Sequence, residues 1–260
     1  MNHPYNQIVL FGDSITQMSF DPSLFGFAAN VASAYQRKMD VLNRGFSGYN
    51  TDWALPIIRQ LLPTVEEQHK QAARIELMTI FFGANDAALP FSPQHVPLDR
   101  YRTNLTTMIK MIKDSASPFY NPNMRLILIT PPPVNESQWK KRCDENGDEM
   151  SRSAEITQKY ASMVGQVGEE QQVVVINLWS RLMEKASEDE KNLSDFLFDG
   201  LHLNSNGYKV LFDLFMETIQ SRFPEIDPNN IEMEIPGWRD LPLENYEQVL
   251  QFPLLKKMDA

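Results

Sequence analysis

One cysteine, Cys143, is all that 260 residues contain. No internal disulfide can staple the chain, and a reducing compartment is the expected setting. Positive charge is also scarce: 24 Lys and Arg stand against 34 Asp and Glu, a net charge of −10, and no basic cluster is dense enough to follow a phosphate backbone. That balance argues against nucleic acid as a partner. No run of about 18 apolar residues occurs, so no membrane span is expected. The opening residues 1–7 lack the basic and apolar parts of a secretion signal, and a soluble cytoplasmic protein is the expectation.

Several catalytic signatures are missing too. No His-Glu-x-x-His pattern or clustered Cys/His set suggests zinc. No Gly-x-Gly-x-x-Gly or phosphate-binding loop follows the first apolar run, which weakens a nucleotide-binding reading. The Gly-x-Ser-x-Gly elbow is absent; Gly45-Phe46-Ser47-Gly48-Tyr49 comes near but has Tyr where the last Gly belongs. Cys143 lies in a polar stretch without a nearby partner, which leaves it out as a nucleophile.

What is present is ample apolar content, 42%, on a length that suits one large domain. Five short apolar runs, at residues 8–11, 41–42, 75–82, 126–129 and 173–176, read as buried strands. Between them lie stretches with apolar residues at helical spacing: residues 26–38, 53–61, 98–115, 151–167 and 178–185, with another near 205–219. Pro56 is tolerable only near the first turn of its helix. Ser151, and Asn204 or Ser205, are candidate caps. Residues 135–148, polar and charged, read as an exposed excursion. Strands that are continuous apolar runs and alternate with helices predict an α/β fold with a parallel sheet covered on both faces.

In such sheets functional groups gather in loops beyond the C-terminal strand ends. Ser14 follows the first strand, Gly48 the second and Asn85 the third, while Asp199 and His202 follow the fifth by a longer detour. Ser14 alone reads as an ordinary helix cap, because Ser and Asp favour that position. A serine hydroxyl becomes a nucleophile near neutral pH only beside a base, and four histidines are available. His3 is terminal, and His69 sits on a solvated polar stretch. His95, in a proline-rich loop, is the second choice, and His202 the first, since Asp199 three residues earlier can orient its imidazole. Backbone N–H groups of Ser14 and Gly48 and the Asn85 amide are candidate donors to an oxyanion. Gly48 serves equally as a turn residue with positive φ, and Asn85 equally as a loop-structuring side chain.

The blocks Gly12-Asp13-Ser14, Gly48, Gly83-x-Asn85-Asp86 and Asp199-x-x-His202 together resemble the SGNH, or GDSL, hydrolases in order and approximate spacing. The likeness extends to the isoamyl acetate-hydrolysing esterase branch through Phe11–Thr16, Arg44–Thr51, Phe82–Ala87, Val96-Pro97-Leu98, Ile129–Pro133, Asp199–His202 and Trp238-Arg239-Asp240. It covers nearly the whole chain and is weakest over residues 135–148 and after Asp240.

The resemblance implies a three-layer α/β/α sandwich, flavodoxin-like, with a five-stranded parallel sheet in the order 2-1-3-4-5. It implies a serine esterase acting on small-molecule, short-chain esters, acetate esters in particular. Ser14 would be the nucleophile, His202 the base and Asp199 its orienting acid. Ser14, Gly48 and Asn85 would form the oxyanion hole, with no metal or organic cofactor needed. Alternatives within the family are a lysophospholipase, a thioesterase or a carbohydrate acetylesterase; a non-catalytic binding protein is the alternative outside enzymes. Residues 1–260 would form one domain, with 224–260 as a C-terminal extension. Its apolar residues Trp238, Tyr246, Leu250, Phe252, Leu254 and Leu255 either pack on their own domain or meet a second subunit in a homodimer.

Overall fold

The computed structural model describes residues 5–188 and 192–253; His3, Leu254 and Leu255 lie outside the described residues. In chain order the elements are β1 (Asn6–Gly12), α1 (Ser14–Gln17), α2 (Phe27–Ala34), β2 (Met39–Gly45), α3 (Thr51–Leu61), α4 (Val65–Lys70), β3 (Ile75–Phe81), α5 (Leu98–Lys113), β4 (Arg125–Ile129), α6 (Glu136–Asn146), α7 (Ala154–Gln171), β5 (Val174–Ile176), α8 (Leu178–Ala186) and α9 (Ser205–Arg222). The strands form one parallel sheet in the order β2-β1-β3-β4-β5, the topology that the family resemblance implies.

Side-chain alternation on β1, an interior strand of the sheet, serves two cores. Ile8 and Leu10 of β1 face α2, α8 and α9, where Phe27, Val31, Leu182, Leu211 and Phe215 complete one cluster. Val9 and Phe11 face the other way, toward Ala54 and Ile58 of α3, Leu105 and Met108 of α5, and Tyr160 and Val164 of α7. Successive strand residues point to opposite faces, so a continuous apolar run serves both layers at once. Each fully buried Leu, Ile or Phe is worth about 1.5–3 kcal/mol relative to exposure, so the two cores carry most of the fold's stability.

Register decides where the loops meet. Gly12 at the end of β1 lies level with Gly45 of β2 and Phe81 of β3. The chain therefore leaves all three strands from one edge, at the point where the strand order reverses direction across β1. Such a switch point opens a crevice between the diverging loops.

Some boundaries differ from the expected ones. The helix expected over residues 26–38 stops at Ala34, because Tyr35 caps it and Arg37 takes a left-handed φ of +61° on the way into β2. The expected Ser151 cap is instead Ser153. The Ser151 carbonyl and hydroxyl accept from Arg152, while Glu136 supplies the acceptor for Ala154 N–H. Pro56 lies inside α3 rather than in its first turn; burial of Ala54 and Ile58 holds the helix despite the missing N–H donor. Asn204 caps α9, accepting from Asn206 and Gly207.

The larger correction concerns residues 135–148. They form α6, capped by Asn135 and ended by Gly147 in the left-handed conformation, rather than an exposed excursion. Lys140 pairs with Asp144 and Lys141 with Glu145 on the outer face, while Trp139 and Cys143 are buried on the inner one. Two apolar residues four apart make too narrow a stripe to stand out against nine polar neighbours, yet they suffice to dock the helix.

Beyond α9 the chain runs irregularly. Ile226 packs on the domain and its carbonyl accepts from Tyr35 Oη at 2.7 Å. Arg37 holds the Ile235 and Pro236 carbonyls, and the Phe252 ring meets Tyr5 edge-on. Trp238 and Leu243 stand 74% and 99% exposed.

Candidate active site

Ser14 is the first residue of α1, not its cap: Asp13 takes that role, its Oδ1 accepting from Ile15 N–H at 2.9 Å. The serine hydroxyl is thereby released from capping. It lies 2.9 Å from His202 Nε2, and the residue is almost wholly buried. Asp13 is buried with Oδ2 unpartnered, and burial pushes its carboxyl up to about 6, against the lowering effects of the Ile15 N–H and the charges of His202 and Arg152.

The acid and base come from the loop before α9. His202 Nδ1 sits 2.7 Å from Asp199 Oδ2, while Asp199 Oδ1 accepts from the Leu201 and His202 N–H groups at 3.0 and 2.8 Å. Partial burial works to raise the Asp199 carboxyl, but the hydrogen bond and charge of His202 and the two backbone donors outweigh it and hold it below the ordinary carboxylate value. Phe198 stacks on the imidazole, centroids 5.6 Å apart at 15°. Between acid and base, Gly200 has φ +92°, and a Cβ there would stand 2.5 Å from the Asn135 carbonyl oxygen. Only glycine takes that turn while letting α6 press on the loop.

The loops after β2 and β3 close the other side. Gly48 has φ +80°, and a Cβ there would meet only Gln94 Nε2, at an ordinary 3.5 Å, so conformation rather than crowding requires glycine. The Asn85 amide is buried, donating from Nδ2 to the Tyr49 carbonyl at 2.9 Å and accepting at Oδ1 from Arg152 Nη2 at 3.1 Å. Asp86 ties the same loops together: its Oδ1 accepts from Thr51 N–H and Oγ1, and its carbonyl from Val96 N–H.

Ser14, Gly48, Asn85 and His202 line one cavity of about 430 Å³, with Asp199 behind the imidazole. The expected base is thus the histidine beside the serine. His95 is not in this cavity, and its Nδ1 meets the Ala88 carbonyl at 2.7 Å. Much of the remaining wall was not legible in sequence: Trp139, Arg142 and Cys143 from α6, together with Arg152. Arg142 lies over the Trp139 ring and reaches to 3.6 Å from Asp199 Oδ2. The signal missed was the narrow buried stripe of α6. Among the described residues no group of three or more His, Cys, Asp or Glu side chains is placed to hold a metal ion, and no helix is long and apolar enough to cross a membrane.

The fold and this arrangement define a class that comparison with known proteins makes explicit. Residues 10–210 match the model of the GDSL-like Lipase/Acylhydrolase family, and the chain belongs to that family and is a carboxylic ester hydrolase. Among its relatives, human isoamyl acetate-hydrolyzing esterase 1 homolog is 37% identical over 90% of this chain and 88% of that protein. The isoamyl acetate-hydrolyzing esterase of Saccharomyces cerevisiae is 31% identical over 91% of this chain and 95% of its own length. The crystal structure of a lipase/acylhydrolase from Enterococcus faecalis superposes with a TM-score of 0.60 at 26% identity, covering 84% of this chain and 96% of that one.

Proposed function

We propose that this protein hydrolyses short-chain carboxylic esters, acetate esters foremost, through an acyl intermediate on Ser14. The observation that carries the reading is the relay of Ser14 Oγ to His202 Nε2 at 2.9 Å and His202 Nδ1 to Asp199 Oδ2 at 2.7 Å. Acetate as the acyl group is supported by the relatives whose names specify isoamyl acetate.

Ser14 Oγ attacks the ester carbonyl carbon as His202 Nε2 takes its proton. Ser14 N–H, Gly48 N–H and the Asn85 Nδ2–H not used by Tyr49 receive the negative charge that forms on the carbonyl oxygen. Collapse of the tetrahedral intermediate breaks the acyl C–O bond, and the alcohol leaves with the proton from His202. Water, deprotonated by His202, then attacks the acyl-serine; the acid departs and the proton returns to Ser14. Asp199, charged throughout, holds the Nδ1–H tautomer and stabilises the imidazolium.

A fluorophosphonate probe should label the wild-type protein and not Ser14→Ala, and the variant should lose about 10³-fold or more in p-nitrophenyl acetate turnover. A folded wild-type protein that resists labelling would support a binding protein instead. Turnover across p-nitrophenyl esters from acetate to octanoate should fall with acyl length; a maximum at octanoate would point to a lipid substrate. A cytoplasmic location, supported by the single buried thiol of Cys143, and a homodimer, supported by the exposed Trp238 and Leu243, complete the proposal.

A further inference from the structure

Arg152 spends all five of its N–H groups on neutral acceptors. Nε donates to the Ala84 carbonyl at 2.9 Å, and Nη1 to the carbonyl and hydroxyl of Ser151 at 3.3 and 3.0 Å. Nη2 forks between Asn85 Oδ1 at 3.1 Å and Gln94 Oε1 at 2.8 Å. The residue is only 3% exposed. Burial lowers the guanidinium to about 10, with the Asp13 charge opposing, so it stays cationic at neutral pH. A buried charge hydrogen-bonded only to neutral groups is expensive, and a fold that needed nothing but filler would not require it.

The fork reaches both oxyanion loops. Through Oδ1 it fixes which way the Asn85 amide faces, so that Nδ2 points to the Tyr49 carbonyl and the cavity side. Through Gln94 it reaches the loop after β2, because Gln94 Nε2 donates to the Gly48 carbonyl at 3.0 Å. The Gln94 carbonyl also accepts from Asn50 Nδ2 at 2.9 Å. One planar guanidinium thus references two of the three proposed oxyanion donors to each other, which a flexible ammonium could not do.

We propose that Arg152 is the positioning residue of the oxyanion hole, holding Asn85 directly and Gly48 through Gln94, with its charge bordering the cavity where negative charge develops. The inference rests on the assignment of Gly48 and Asn85 as oxyanion donors. Misplaced donors weaken the transition state more than the ground state, so loss of Arg152 acts on kcat and leaves KM nearly unchanged.

The test compares wild type, Asn85→Ala, Arg152→Gln, Arg152→Lys, Gln94→Ala and the double variant Asn85→Ala/Arg152→Gln with p-nitrophenyl acetate, with near-ultraviolet circular dichroism to confirm folding. Arg152→Gln should lose about 10²-fold in kcat with KM within about threefold, the scale of one lost oxyanion donor. Arg152→Lys should recover part of that loss, since it keeps the charge but not the fork. Gln94→Ala, which cuts only the Gly48 arm, should lose about tenfold in kcat. The double variant should lose less than the product of its two parents, the mark of residues acting as one unit. A folded Arg152→Gln with wild-type kcat, or a double variant losing the full product, overturns the proposal. Should Arg152→Gln not fold, a wild-type kcat in Gln94→Ala overturns it. An unaltered kcat in Asn85→Ala instead removes the oxyanion assignment on which the proposal rests.

Discussion

Ser14 Oγ and His202 Nε2 lie 2.9 Å apart across 188 residues of sequence. The contact joins the turn after the first strand to the loop before the last helix. Nothing local holds it: Ser14 is placed by the buried end of β1 and by Asp13 as cap, and His202 by Asp199 and the backbone bond from Phe198 N–H to its own carbonyl. Two independently built loops bring the hydroxyl and the imidazole into hydrogen-bonding distance.

That placement separates the two accessible candidate bases. His202→Ala should lose about 10³-fold or more in p-nitrophenyl acetate turnover at neutral pH. His95→Ala should keep its turnover while losing about 1 kcal/mol of stability, the worth of its hydrogen bond to the Ala88 carbonyl. Rates and urea midpoints of the two variants, measured in one buffer, check both statements; a normal rate in His202→Ala would overturn the base assignment.

Asp199→Asn tests the tautomer. The new side chain keeps an oxygen for the Leu201 and His202 N–H groups, so the loop should stay folded. Its amide N–H would face His202 Nδ1, forcing that nitrogen to accept and leaving Nε2 protonated toward Ser14. Turnover should fall by about 10⁴-fold, with circular dichroism unchanged. A loss of under tenfold would show that Asp199 does not orient the base.

Asp86 ties the pH dependence of stability to the loops after β2 and β3. Burial pushes its carboxyl from the ordinary 3.8 up to about 7, against the two Thr51 hydrogen bonds and with the Asp13 charge adding to the rise. Between those values the folded protein holds a proton that the unfolded chain has released, so stability falls as pH rises through the window. Asp86→Asn keeps an acceptor for Thr51 and removes the charge. Its urea midpoint should decline less between about pH 4 and pH 7 than that of wild type, with Asp13 accounting for part of the remaining slope. Equal slopes would assign the effect elsewhere.

The exposed Trp238 and Leu243 make the C-terminal extension a test of association. A chain ended after Asp240 removes Leu243 and the apolar residues beyond it. Light scattering should give a dimer mass for the full chain and a monomer mass for the truncated one; identical masses would remove the dimer. Turnover by the truncated chain should persist, because none of the residues lining the cavity lies beyond His202.

How far the sequence could be read differs between the two halves of the site. The blocks around Ser14 and Asn85 each follow an apolar run that is buried on both faces, and such runs announce strands without help from context. Gly48 follows the half-buried edge strand β2, whose apolar run is only Val41-Leu42. Asp199 and His202 are three residues apart, so their pairing was also a local matter. The wall formed by α6 was not legible, because its inward stripe consists of Trp139 and Cys143 alone. Arg152 was invisible for a different reason: a lone arginine in a polar stretch reads as a solvated charge, and only its surroundings make it a buried one.

The amino-acid order by itself determined the strands and their alternation with helices, and it offered Ser14, Asp199 and His202 as candidates, because these depend on short-range pattern and residue chemistry. The tertiary structure decided which loops share an edge and which histidine meets Ser14. It also decided where the five N–H groups of Arg152 point. Those depend on register between strands and on burial, and both arise only when residues far apart in the chain exclude water together.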